Sequence, residues 1–113
     1  MVPDLKTVSW ILLVVAIVLE VSGTICMKLS DGFTKMGPVM AMLTFYAFGL
    51  SLLAMALKTI DVSVAYAVWS GLGTALIAII GVMWFKEPAT LVKMFSIILI
   101  VLGVVGLNLG GGH

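Results

Sequence analysis

The chain has 113 residues, 63% of them hydrophobic and 10% charged, whereas a soluble domain sits near half apolar and about a quarter charged. A domain this small buries too little of its surface to hide so much apolar area from water, so lipid is the solvent that fits. The net charge of +1, with six scattered lysines and no arginine, excludes the basic stripe that nucleic-acid binding needs.

A membrane span needs about 20 apolar residues, and four runs qualify, at about 8–27, 36–57, 62–85 and 90–109. They are expected to be helices, because an open strand in lipid leaves its backbone groups unpaired. The first run holds Glu20, the one ionisable residue well inside any of the four. It lies about 12 residues in, roughly 18 Å along a helix and near the middle of a hydrocarbon core about 30 Å thick. An ionised carboxylate at that depth costs on the order of 2.5–3.5 kcal/mol, so it must face protein or water. Two readings follow: a carboxyl that alternates between a proton and a cation, or a protonated carboxyl gluing helices together. Leu13, Ile17, Thr24 and Met27 share its face at helical spacing, flanked by Ala16 and Gly23. Thr24, one turn on, offers a hydroxyl. Cys26, the lone cysteine, has no disulfide partner and no second thiol for a metal, so neither metal nor cofactor is expected. With Glu20 inside the stretch and no small-residue cleavage site after it, a signal peptide is not expected and the segment reads as helix one.

Loop one, Lys28 to Lys35, carries an Asp31-Gly32 turn signal and leads into Gly37-Pro38. Helix two holds Tyr46 well inside its run, with Phe45 and Phe48 nearby. Loop two is short, Lys58 to Asp61. Helix three sets Tyr66, Trp69, Ser70 and Gly73 at i, i+3, i+4 and i+7, on one face. Aromatic faces attract cations where water is excluded, and Trp69 lies deep for an interfacial belt, unlike Trp10 and Trp84 near span ends. Gly71 and Gly73 permit close packing or a bend. In loop three, Pro88 suits the first turn of helix four. There Ser96, Gly103 and Gly110 recur every seven residues, with Gly106 beside them; the stripe packs either within one bundle or between protomers. Short loops force antiparallel hairpins, so the expected architecture is an all-α integral membrane protein with a single four-helix transmembrane domain. Lys6 and Lys58 fall on one side of the membrane, and Lys28, Lys35, Lys86 and Lys93 on the other. So small a bias leaves two topologies open, one fixed orientation or insertion both ways.

The stretches Glu20-Val21-Ser22-Gly23-Thr24, Met27 to Thr34 and Ala65 to Gly73 resemble the helix-one and helix-three signatures of the small multidrug resistance transporters. The resemblance covers nearly the whole chain. It implies an antiparallel, dual-topology homodimer in the bacterial inner membrane that exchanges protons for lipophilic organic cations. Residue by residue, it implies that Glu20 binds proton and substrate. Thr24, Tyr46, Tyr66, Trp69 and Ser70 would line the cavity, and Gly71, Gly73 and Gly103 would serve bending or packing. Gly49 stands where many members carry Ser, and Leu50 where they carry Phe; Ser96 replaces a common Gly and Asp61 a common Pro. Ser51 lies close in the chain to the missing hydroxyl. The family's guanidinium exporters typically carry Trp-Ala where this chain has Gly23-Thr24, so the pair resembles the branch that takes quaternary ammonium compounds. A single chain is one half of an alternating-access device, so a second copy is needed to complete it. Rival readings are a guanidinium or polyamine exporter, alone or as half of a heterodimer, a non-transporting membrane subunit, and a lipid-carrier flippase subunit. An enzyme is least expected, since no second acid, base or nucleophile joins Glu20 at depth.

Overall fold

A computed structural model describes residues 5–110. They form four α-helices: α1 Leu5–Leu29, α2 Met36–Ala56, α3 Val62–Met83 and α4 Leu91–Gly110. No strand occurs among the described residues. α1, α2 and α3 are each long and apolar enough to cross a membrane, while the apolar stretch of α4, Leu91–Leu107, is shorter. The helices pair as two compact units, Met1–Ile60 with α1 and α2, and Asp61–His113 with α3 and α4.

In the first hairpin, α1 buries Ser9, Leu13, Ala16, Ile17, Val21 and Gly23, a stripe at helical spacing. α2 buries Met42, Gly49 and Ala56, one residue every seven. Lipid supplies no hydrophobic drive between helices, so close backbone approach at small residues decides where they cross. That approach is at Gly49, where a Cβ would lie 3.2 Å from the Ala16 carbonyl oxygen and 3.5 Å from the Glu20 amide nitrogen. Val14, Val15, Val18, Met40, Leu43, Phe48 and Leu50 are exposed and make a surface suited to acyl chains. Four hydroxyls within the helices bond back to their own helix. Ser22 donates to the Val18 carbonyl at 2.8 Å, Thr44 to Met40 at 3.0 Å, Ser51 to Ala47 at 2.7 Å and, on α4, Ser96 to Val92 at 2.7 Å. Bonding four residues back in this way keeps a polar side chain paired where water is absent.

Loop one turns on Ser30, which is fully buried. Its Oγ donates to the Met27 carbonyl at 2.7 Å and accepts the Phe33 N–H at 3.1 Å. Its own carbonyl accepts the N–H groups of Thr34 and Lys35 at 2.9 and 3.1 Å. Asp31, Gly32 and Phe33 all have positive φ, at 51°, 69° and 68°. Only the glycine adopts this without steric cost, so the Ser30 hydrogen bonds hold two side-chain-bearing residues in a left-handed turn.

In the second hairpin, α3 buries Val64, Ala65, Val68, Gly71, Gly73, Ala75 and Gly81. α4 crosses at Gly71, where a Cβ would run into Val104 and lie 3.1 Å from Ile100 Cγ2. Trp84 and Phe85 fall outside α3, which ends at Met83. Their rings stack at 5.8 Å, and Lys86 turns left-handed at φ 57°. The Glu87 N–H then returns to the Gly81 carbonyl at 3.0 Å, and its carboxylate fills the space a Cβ on Gly81 would need. Pro88 is not in the first turn of α4. That helix starts three residues later, because Thr90 Oγ1 accepts the Lys93 N–H at 3.1 Å, as an N-cap does. Among its described residues α4 has none that is buried, and Phe95, Ile98, Leu99, Leu102 and Leu109 are all exposed.

Candidate functional site

α1 has 25 residues, roughly 37 Å of helix, and Glu20 lies about 22 Å from its start at 1.5 Å per residue. α1 extends beyond 8–27 by three residues at its start and two at its end, which include Lys6 and Lys28, whose long stems suit a membrane interface. α2 presents no charged side chain anywhere along its length, so Glu20 meets no counter-ion on the helix packed against it.

It meets hydroxyls. Thr24, one turn along α1, donates to Glu20 Oε1 at 3.1 Å. The same Thr24 oxygen lies 2.9 Å from the Tyr46 hydroxyl of α2. Glu20, Thr24 and Tyr46 are each half-buried. The ring of Tyr46 lies across α1 directly over Gly23, where a Cβ would fall 2.5 and 2.6 Å from ring carbons Cε1 and Cδ1. The sequence alone places Gly23 beside the carboxylate and in the Gly23-Thr24 pair, without the tyrosine ring that its missing Cβ admits. The signal was available in one respect: a glycine three residues from a buried acid leaves room for a partner's side chain on that face. Ser51 does not stand in for the serine missing at position 49. It is exposed and spends its proton on the Ala47 carbonyl, and Thr24 supplies the hydroxyl to Glu20 instead. Of the neighbours expected on the Glu20 face, Leu13 and Ile17 are buried and Met27 is exposed.

Tyr66, Trp69 and Ser70 form a separate set on α3, in the second unit. Tyr66 is 69% exposed and Ser70 is exposed, whereas Trp69 is half-buried. α3 stays helical through Gly71 and Gly73, both of them buried. Gly103 is exposed, and neither it nor Gly106 has anything within 4 Å of where a Cβ would stand. A groove of about 220 Å³ also runs between α3 and α4, lined by Ala78, Ile79, Val82, Met83, Ala89, Met94, Ile97 and Lys93. It contains none of the candidate site residues, and its apolar walls suit an acyl chain. No cluster of potential metal ligands occurs among the described residues.

Three apolar helices long enough to cross a membrane, with an acid well inside the first, define an integral, multi-pass membrane protein. Comparison with known proteins gives the same class. Residues 8–100 match the model of the Small Multidrug Resistance protein family. The chain is 52% identical to an uncharacterized membrane protein, YvaE, of Bacillus subtilis (strain 168), over 89% of this chain and 85% of that protein. It is 45% identical to the multidrug resistance protein EbrB of the same strain, over 89% and 86%. It is 41% identical to a guanidinium exporter of Escherichia coli (strain K12), over 89% and 96%. The chain belongs to the small multidrug resistance family. It is an efflux transporter of the bacterial inner membrane.

Proposed function

We propose that this transporter is a proton-coupled antiporter exporting lipophilic organic cations of the quaternary ammonium type, and that it works as an antiparallel homodimer. The observation that carries the reading is Glu20 itself: a carboxylate at mid-span depth, with no charged partner on α2, tethered through Thr24 to Tyr46. Such a group holds either a proton or a cation, and exclusive occupancy couples the two fluxes without a further device. An inverted second copy brings a second Glu20 to the midplane and supplies the other half of an alternating-access unit. The two carboxyls then release their protons in coupled steps. Tyr66, Trp69 and Ser70 of α3 supply aromatic and polar groups to the cation. The unburied α4, open at Gly103 and Gly106, supports a second copy as its partner, since small residues allow the closest helix approach.

The substrate class rests on α1. Relatives named for multidrug resistance and for guanidinium export lie at similar identity, 45% and 41%, so the names do not decide. Position 23 favours one branch: Tyr46 occupies the space above Gly23, and an indole there would displace it. This supports the Gly-Thr branch and a cavity for bulky cations. The test is purified protein in proteoliposomes, with a panel of tetraphenylphosphonium, guanidinium and spermidine, with and without a pH gradient. Tetraphenylphosphonium is expected to move against the proton flux, faster than the other two. Preferential guanidinium movement would overturn the substrate class, and no gradient-dependent movement of any cation would overturn antiport.

The assembly has its own test. A cysteine placed at Lys35 in loop one, in a Cys26→Ser background, is expected to react with membrane-impermeant maleimide from both sides of the membrane. Labelling from one side only, in an active preparation of this chain alone, rules out the antiparallel homodimer.

A further inference from the structure

Thr24 Oγ1 has one proton and two neighbours: Glu20 Oε1 at 3.1 Å and Tyr46 Oη at 2.9 Å. An ionised carboxylate only accepts hydrogen bonds, so while Glu20 is charged the threonine proton is committed to it. Tyr46 must then be the donor across the second contact, although its geometry alone allows either direction. All proton positions along the chain are therefore fixed by one charge, running Tyr46 to Thr24 to Glu20. Once Glu20 takes up a proton, its own O–H can donate to Thr24, the threonine proton turns to Tyr46, and the Tyr46 proton is released from the contact. The third member is held in place by an absence, since the Tyr46 ring fits only because Gly23 has no Cβ. α2 has no other titratable side chain, and on α1 the remaining ones are Lys6, Cys26 and Lys28, at least six residues from Glu20 along the helix.

We infer that Gly23, Thr24 and Tyr46 act as one positioning relay for Glu20, in which the glycine seats the tyrosine ring and the threonine carries its hydrogen bond to the carboxylate. The relay transmits the protonation state of α1 to a side chain of α2. The inference rests on Glu20 being the cation-binding carboxylate, and it assigns the two hydroxyls a role beyond lining a cavity.

The experiment is equilibrium binding of tetraphenylphosphonium to the purified protein in detergent at alkaline pH. This cation has no hydrogen-bonding group, so loss of a hydroxyl acts on it only through Glu20. Thr24→Val, which keeps the shape and deletes the hydroxyl, is expected to weaken binding about tenfold, the scale of a hydrogen bond to a charged group. Thr24→Ser, which keeps the hydroxyl, is expected to bind within about twofold of the parent, well short of the tenfold loss. Tyr46→Phe and Gly23→Ala are expected to lose affinity to the same extent as each other, because both uncouple the tyrosine hydroxyl. The double variant Thr24→Val/Tyr46→Phe is expected to bind no worse than Thr24→Val alone, since groups in one network are not additive. Additive losses, a Tyr46→Phe variant that binds like the parent, or a Thr24→Ser variant as damaged as Thr24→Val would each overturn the relay. A parallel Glu20→Gln sample separates this from the parent reading: if it binds with full affinity, the carboxylate itself is not the cation ligand. Size-exclusion profiles matching the parent establish that each variant is folded.

Discussion

Glu20→Gln is expected to reduce proton-driven cation uptake into vesicles to the level of protein-free lipid. The amide keeps the length and nearly the shape of the carboxyl, and its oxygen still accepts the bond that Thr24 donates at 3.1 Å in the parent. The hairpin therefore has no structural reason to change, and the crossing at Gly49 is untouched. On the proposed mechanism, what disappears is the charge that attracts the cation and the proton that is exchanged for it. No nearby group replaces either, because α2 contains no charged residue. The measurement is the pH-gradient-dependent part of tetraphenylphosphonium uptake, compared at equal protein per lipid. Coupled uptake by Glu20→Gln at anything near the parental rate would remove the carboxylate from the mechanism.

The second large effect concerns the aromatic wall. A desolvated contact between a cation and an aromatic face is worth roughly 2 kcal/mol, and 1.4 kcal/mol is about tenfold in affinity. Trp69→Ala is therefore expected to weaken binding of a flat aromatic cation about 30-fold. Trp69→Phe keeps a π face and is expected to lose less. Trp69 is half-buried in its own chain while Tyr66, three residues before it, is largely exposed, so removing the indole should leave the crossing of α3 and α4 at Gly71 intact. Trp10→Ala, near the start of α1, is the control and is expected to bind as the parent does. Equal damage from Trp10→Ala, or none from Trp69→Ala, would make the α3 aromatics packing residues.

Much of this was legible in the sequence. Four apolar runs with short polar breaks dictate four helices, because lipid tolerates no other unclosed backbone arrangement. Glu20 and Thr24 were readable as neighbours, since four residues along a helix is one turn. Helix ends were less so. Lys6 and Lys28 extend α1 because a lysine at the interface does not oppose helix. At the far end of α3, stacking of Trp84 on Phe85 and the left-handed Lys86 stop the helix before the apolar pattern stops. The cap at Thr90 likewise displaced Pro88 from α4. Tyr46 was read as a cavity residue, but its bond to Thr24 was not visible. That bond depends on how α2 is registered against α1, and the register is set by one backbone approach, at Gly49 and Ala16. Proximity in the chain made Ser51 look like a substitute donor, and only the helix geometry shows its proton returned to Ala47.

The self-bonded hydroxyls also bear on how sharply such a protein can choose among molecules. Ser22, Thr44 and Ser51 return their protons to their own helix, and Thr24 gives its to Glu20. A donor spent in this way is not offered to a guest. Strong rejection of near-relatives, by factors of about 10⁴ or more, arises where a guest leaves buried polar groups unpaired, whereas apolar walls discriminate by only about 10–200-fold. On the proposed mechanism these four engaged hydroxyls ask little of an incoming cation except positive charge and bulk, so tolerance of diverse cargo would follow from hydrogen-bond accounting rather than from looseness of structure.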